Sequence, residues 1–156
     1  DGGARWTLLE IDGVPTGTMV RTVAVSPANR QRVLAGAEGW GMYASSDGGD
    51  TWQASYAGLE PNSSLDDIVF DPTNAQVVYC SDFRSGVYRS TDSGATWTKI
   101  NQGLRNRTAT DLSISADGQH LYVATDGEGV FRLDVSGAAP AAPYAVYLPL
   151  IVKRMG

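Results

Sequence analysis

Asp66, Asp67 and Asp111 are the acidic residues whose placement most invites a catalytic reading. Each opens a short run of alternating apolar residues, Asp67-Ile-Val-Phe70 or Asp111-Leu-Ser-Ile114, so each stands at the start of a predicted β-strand. Two carboxylates held about 5–10 Å apart across a cleft can hydrolyse a glycosidic bond, one as acid and the other as base or nucleophile. Asp67 and Asp111 are, however, equivalent positions in a repeat whose third member is Thr22, and repeated placement predicts a structural role. Other catalytic sets lack their parts. His120 is the one histidine and Cys80 the one cysteine, so neither a histidine-based triad nor a His-rich zinc site is signalled. Asp47-Gly-Gly-Asp50 resembles a calcium loop faintly, without the alternating ligands and closing glutamate of an EF-hand. The sequence therefore predicts no catalytic residue, no metal and no cofactor.

These residues lie within a repeated unit. Ser45-Ser-Asp-Gly-Gly-Asp-Thr-Trp52 recurs as Ser90-Thr-Asp-Ser-Gly-Ala-Thr-Trp97, and Asp1-Gly-Gly-Ala-Arg-Trp6 is a clipped third copy. Successive tryptophans are 46 and 45 residues apart, a period that marks an array of one supersecondary unit. Asp47 and Asp92 can accept hydrogen bonds from the N–H groups of their own turn. Gly49 and Gly94 supply turn backbone, and Thr51, Trp52, Thr96 and Trp97 start the next strand with a large buried ring. Each unit reads as four short strands, separated by turns such as Pro27-Ala-Asn29, Pro72-Thr-Asn74 and Ala116-Asp-Gly118. Four strands in about 45 residues is a propeller blade. The predicted fold is all-β: four-stranded antiparallel blades, about three of them plus a spare strand at Arg5–Glu10. The last blade has no fourth strand, since no Trp follows Val135. Because propellers typically have 4–8 blades, this is a partial propeller or one completed by oligomerisation.

The pattern Ser-x-Asp-x-Gly-x-Thr-Trp resembles the Asp-box, or bacterial neuraminidase repeat, and both full copies match at every defining position. The resemblance covers residues 1–137. Asp-boxes occur in propellers of sialidases, some xyloglucan-cleaving glycosidases, sortilin-type receptors and photosystem assembly factors. It implies a fold corner and not catalytic apparatus. A sialidase would add an arginine cluster and a Tyr–Glu nucleophile pair, and neither is recognisable here.

Charged residues are 19% of the 156 and the net charge is −5. Without a basic patch, nucleic acid is not predicted as a partner. No run reaches the roughly 18 apolar residues of a membrane span. Cys80 reads as a small buried residue, its repeat counterparts being Ala35 and Val123. A chain opening on Asp1 inside a repeat reads as processed or trimmed.

In an up-and-down blade one face collects the loops that do not carry the Asp-boxes. That face holds Trp40, Phe83, Arg84 and Glu128, aromatics beside charges that could hold a glycan or a protein. It also holds Asn62 and Asn106, which have the form of glycosylation sequons. Residues 138–143 form an Ala/Pro linker, and residues 144–156 an apolar strand-like tail resembling C-terminal tails of secreted bacterial proteins. The expected function is a non-catalytic, extracellular bacterial module for interaction or self-assembly by strand exchange. Its partners would be further copies, or further blades of a parent chain. The alternative is a fragment of a secreted Asp-box glycoside hydrolase.

Overall fold

The computed structural model describes residues 5–136. The linker and tail expected at residues 138–156 lie outside them. Among the described residues eleven strands form three antiparallel sheets. The first blade is β1 (Val20–Val25), β2 (Val33–Ala37), β3 (Gly41–Ser45) and β4 (Gln53–Ala54), hydrogen-bonded in that order. The second repeats it as β5 (Leu65–Phe70), β6 (Val78–Asp82), β7 (Gly86–Ser90) and β8 (Thr98–Lys99). The third has three strands among the described residues: β9 (Ala109–Ile114), β10 (His120–Thr125) and β11 (Gly129–Asp134). Strand β5 adjoins β1 on one side and β9 on the other, so the blades converge on their first strands. This is the all-β, partial-propeller architecture that the repeat implies.

The registers make the blades superimposable. Ala35, Cys80 and Val123 pair with Val23, Ile68 and Leu112. Each first strand carries a bulge at the same place, at Arg21, Asp66 and Thr110, a device that re-aims a side chain.

Apolar side chains from the two sides of each sheet fuse the blades. Leu34, Met42 and Ala44 of the first blade share one core with Leu65, Ile68, Val78, Cys80, Tyr88 and Trp97 of the second. Tyr79 and Val87 of the second share another with Leu112, Leu121 and Val123 of the third. The middle blade is therefore covered on both faces, whereas the outer face of the first blade is covered only over Val33, Ala35, Tyr43 and Trp52, by Ile11 and Val14, and its first strand is left bare. Ile68 is 4% exposed and its first-blade counterpart Val23 is 64% exposed. Val20 and Val25 are likewise exposed, and so are Tyr122 and Val130 at the other end.

Two expectations need correction. Arg5–Glu10 is not a strand. A fourth strand exists only by pairing with a third strand, and no third strand precedes this segment among the described residues; Trp6 is left 93% exposed. The residues after it nonetheless take the path by which the chain leaves a fourth strand. Val14 N–H donates to Ile11 C=O as Leu59 does to Tyr56 and Leu104 to Asn101, and Ile11 and Val14 pack on the first blade. The other fourth strands, expected to start at the Thr-Trp pairs of the repeat, are two residues each, Gln53–Ala54 and Thr98–Lys99. Trp97 N–H turns away to the Ala57 carbonyl of the preceding blade, which takes it out of its own ladder.

Candidate functional site

The two Ser-x-Asp-x-Gly-x-Thr-Trp corners are closed by side-chain hydrogen bonds. In the second, Asp92 Oδ1 accepts from Ser90 Oγ at 2.6 Å, Ala95 N at 2.9 Å and Thr96 N at 2.8 Å. Thr96 Oγ1 donates to Oδ2 at 2.6 Å. Partial burial opposes ionisation, but the bonds from Ser90, Thr96 and Ala95 outweigh it and hold the carboxyl at about 2. In the first corner Asp47 takes Thr51 N at 2.9 Å, Thr51 Oγ1 at 2.5 Å and Ser45 Oγ at 2.7 Å. Those bonds, led by the Thr51 hydroxyl, bring its carboxyl well below the usual range. Gly94 has φ 85°, and a Cβ there would lie 2.8 Å from Leu34 Cδ1, so the corner presses on the preceding blade.

That contact is polar as well as apolar. Arg32 donates to Ser93 C=O through Nε at 3.0 Å and Nη2 at 2.7 Å, Ser55 Oγ donates to Gly94 C=O, and Trp97 Nε1 donates to Ser55 C=O at 2.8 Å. Trp52, with no such neighbour, donates instead to Gly49 C=O of its own corner at 2.9 Å. Trp52 and Trp97 are both buried.

The first-strand carboxylates gather near the bulges. Asp66 Oδ1 accepts from Arg21 Nε at 2.7 Å, and Arg21 also reaches Glu38 at 3.3 Å. Asp66 Oδ2 is buried without a partner. Burial raises the Asp66 carboxyl against the pull of Arg21. Asp67 Oδ1 accepts from Ile68 N at 2.8 Å, and its Oδ2 accepts from Leu112 N of the next blade at 2.9 Å. Burial raises Asp67 too, and the adjacent Asp111 adds to the rise. The structure thus brings Asp67 and Asp111 together and sets Asp66 among Arg21, Glu38 and Asp82. No group of three or more His, Cys, Asp or Glu suited to a metal occurs among the described residues.

On the face away from the boxes, Glu60, Asn62, Asp82, Arg84, Lys99 and Arg107 line a polar groove. Lys99 is paired to Glu60 at 2.6 Å. Asp82 is spent on structure: Oδ1 accepts from Arg84 N, Ser85 N and Ser85 Oγ, and Oδ2 from Ser64 N. Of the four residues named for this face, Arg84 lines the groove; Trp40, Phe83 and Glu128 are exposed outside it. Asn62, with φ 59°, is exposed. Asn106 is tied down, its Nδ2 donating to Asp126 C=O at 2.5 Å and its Oδ1 accepting from Thr108 N at 2.9 Å. Sequence reasoning missed Arg32 and Asp82. Arg32 has Val77 and His120 at its counterpart positions, so no repeat flags it; Asp82 before Phe-Arg-Ser-Gly is a turn signal that could have been read.

Corner, period and blade stacking agree with a sequence similarity: residues 1–132 match the family model described as Sortilin, neurotensin receptor 3. The chain belongs to this family. No curated protein matches the chain. Among solved structures, a GH74 enzyme from Niastella koreensis is 27% identical with a TM-score of 0.63, over 76% of this chain and 20% of that one. The GH74 xyloglucanase from Xanthomonas campestris is 19% identical at TM-score 0.61, over 82% and 24%. YCF48 from Cyanidioschyzon merolae is 16% identical at TM-score 0.60, over 83% and 38%. The last two likenesses show the fold alone. This sortilin-family chain spans about a fifth of the length of the first and about a quarter of the second.

Proposed function

We infer that this chain is a non-catalytic, extracellular propeller module of bacterial origin, which works by associating through its blade faces. On this reading the sequence divides into a blade region, 1–137, a spacer, 138–143, and a tail, 144–156. The observation that carries this is the contrast between equivalent positions. Leu65, Ile68 and Phe70 are buried against the preceding blade, and Val20, Val23 and Val25 stand exposed in the same places. A row of exposed valines on a first strand whose counterpart is buried is a surface made to be covered, and Trp6 and Leu8 are exposed as well. Its partner is another copy of this chain or further blades of a parent chain. The loop face with Trp40, Phe83, Arg84 and Glu128 offers a glycan or protein ligand a second contact. Sedimentation velocity on the chain and on Val23→Arg tests the reading. The native chain should sediment as more than one copy and the variant as smaller particles; identical sedimentation of the two would count against it.

A second reading, a fragment of a secreted glycoside hydrolase, has one observation in its favour: Asp67 and Asp111 adjoin on the inner strands and burial raises Asp67. Hydrolysis of xyloglucan by the chain, abolished in Asp67→Asn, would establish it. The two N–H groups already bonded to Asp67 weigh towards a structural carboxylate.

A further inference from the structure

An apolar slot lies between the second and third blades, lined by Val87, Ile100, Leu121, Val123, Phe131 and Leu133. Its walls repeat the surroundings of Trp97. Ladder register makes Val87 the counterpart of Met42, Leu121 of Val78, Val123 of Cys80 and Phe131 of Tyr88, and all four counterparts share the Trp97 core. Ile100 is the counterpart of Ser55: each donates its N–H one blade-strand inward, Ile100 to Val87 C=O and Ser55 to Met42 C=O. Ser55 C=O is the acceptor of the Trp97 indole. The slot therefore has both the walls and the acceptor of an Asp-box tryptophan site, while the third blade has no fourth strand among the described residues.

The chain has four tryptophans, at 6, 40, 52 and 97, so none follows Trp97 to fill the slot. Trp6 is the one that ends an Asp-box-like run without being packed, at 93% exposure. Building on the self-associating reading above, we propose that the slot takes Trp6 of a second copy of this chain, with Trp6-Thr7-Leu8 adding the missing fourth strand to β11. The complete blades set the register. Lys99 pairs with Tyr88 and Thr98 with Arg89, so Leu8 should pair with Phe131 and Thr7 with Arg132, and the Trp6 indole should donate to Ile100 C=O.

The test mixes one copy carrying Thr7→Cys with another carrying Arg132→Cys, under oxidation. Both positions are exposed in the single chain, and Cys80 is fully buried and silent. A disulfide-linked heterodimer exceeding either homodimer is the expected product. In parallel, Trp6→Ala should weaken association at least about thirtyfold, the loss typical of a tryptophan anchor, without harming the fold of a chain in which Trp6 packs on nothing. Association without the heterodimer, or undiminished in Trp6→Ala, would overturn the slot assignment and leave self-association standing. An intrachain bridge in the Thr7→Cys, Arg132→Cys double variant would overturn the second copy as donor. Association lost on removing residues 138–156 and kept in Trp6→Ala would assign the slot to the tail. A chain that stays monomeric would overturn both the slot and the reading it rests on.

Discussion

Truncating Trp97 to alanine should nearly uncouple the first two blades. The ring is 4% exposed and shares its core with Leu34, Met42 and Ala44 of one blade and Val78, Cys80 and Tyr88 of the other. Removing a buried aromatic of this size typically costs about 3–5 kcal/mol, because the walls collapse only in part. Here the same change also deletes the indole bond to Ser55 C=O at 2.8 Å, leaving a buried acceptor, so the upper half of that range applies. Against a domain stability of about 5–15 kcal/mol, the loss should move the urea midpoint by a large fraction. Trp52→Ala should cost less, since its indole bonds within its own corner and its core joins Val33, Ala35 and Tyr43 of its own blade to the N-terminal Ile11 and Val14 rather than to a second blade. Trp40→Ala, at a half-exposed loop tip, should fall within about 0.5 kcal/mol of the parent. Urea titrations read by circular dichroism at one protein concentration give all three values. If Trp97→Ala unfolds at the same midpoint as Trp40→Ala, the ring is not the inter-blade anchor described here.

Single groups carry further consequences. Asp92→Ala should cost about 1–3 kcal/mol near neutrality, towards the low end because the corner is solvent-exposed. Its folded carboxyl is held down at about 2, so this stabilisation is complete above the ordinary value near 4 and is lost as pH falls from there through 2. Urea midpoints of parent and variant should converge over that window; a constant gap down to pH 2 would exclude the carboxylate as the source. Cys80 is fully buried, and desolvation drives its thiol well upward, so a thiol reagent should label it only after unfolding. Labelling of the native chain within minutes would contradict the middle-blade core. Arg32→Ala removes two bonds to Ser93 C=O and should cost about 1–2 kcal/mol in the same urea assay. A midpoint matching the parent would mean that contact contributes nothing.

What could be read from sequence was what is local. The box chemistry closes within a few residues: Ser90 Oγ reaches Asp92, and Asp92 reaches Thr96, so spacing alone reveals the corner. First, second and third strands are legible because their apolar alternation repeats at the blade period. The N-terminal strand failed because a strand is a property of a pair, and Arg5–Glu10 has no neighbouring third strand to pair with among the described residues. The contacts between blades escaped for a different reason. Arg32 meets Ser93 across 61 residues with no repeated side chain to announce it, and the repetition of Asp67 as Asp111 signals a structural role without naming its partner, Leu112 N, 45 residues away. The slot between the second and third blades is likewise invisible in sequence, since it is defined by what separate strands leave open. The carboxylates at the strand starts were legible as a group; their division into Asp66 with Arg21 and Asp67 with Asp111 came only from the bulges.

The central claim is that the exposed faces of the end blades are interfaces, and the mass of the particle in solution tests it most directly. Light scattering on the 16.6 kDa chain across the micromolar range should give a mass at a whole multiple of the single chain, falling towards one copy as the protein is diluted. A stable particle of one chain's mass at every concentration, with a cooperative unfolding transition, would contradict the account.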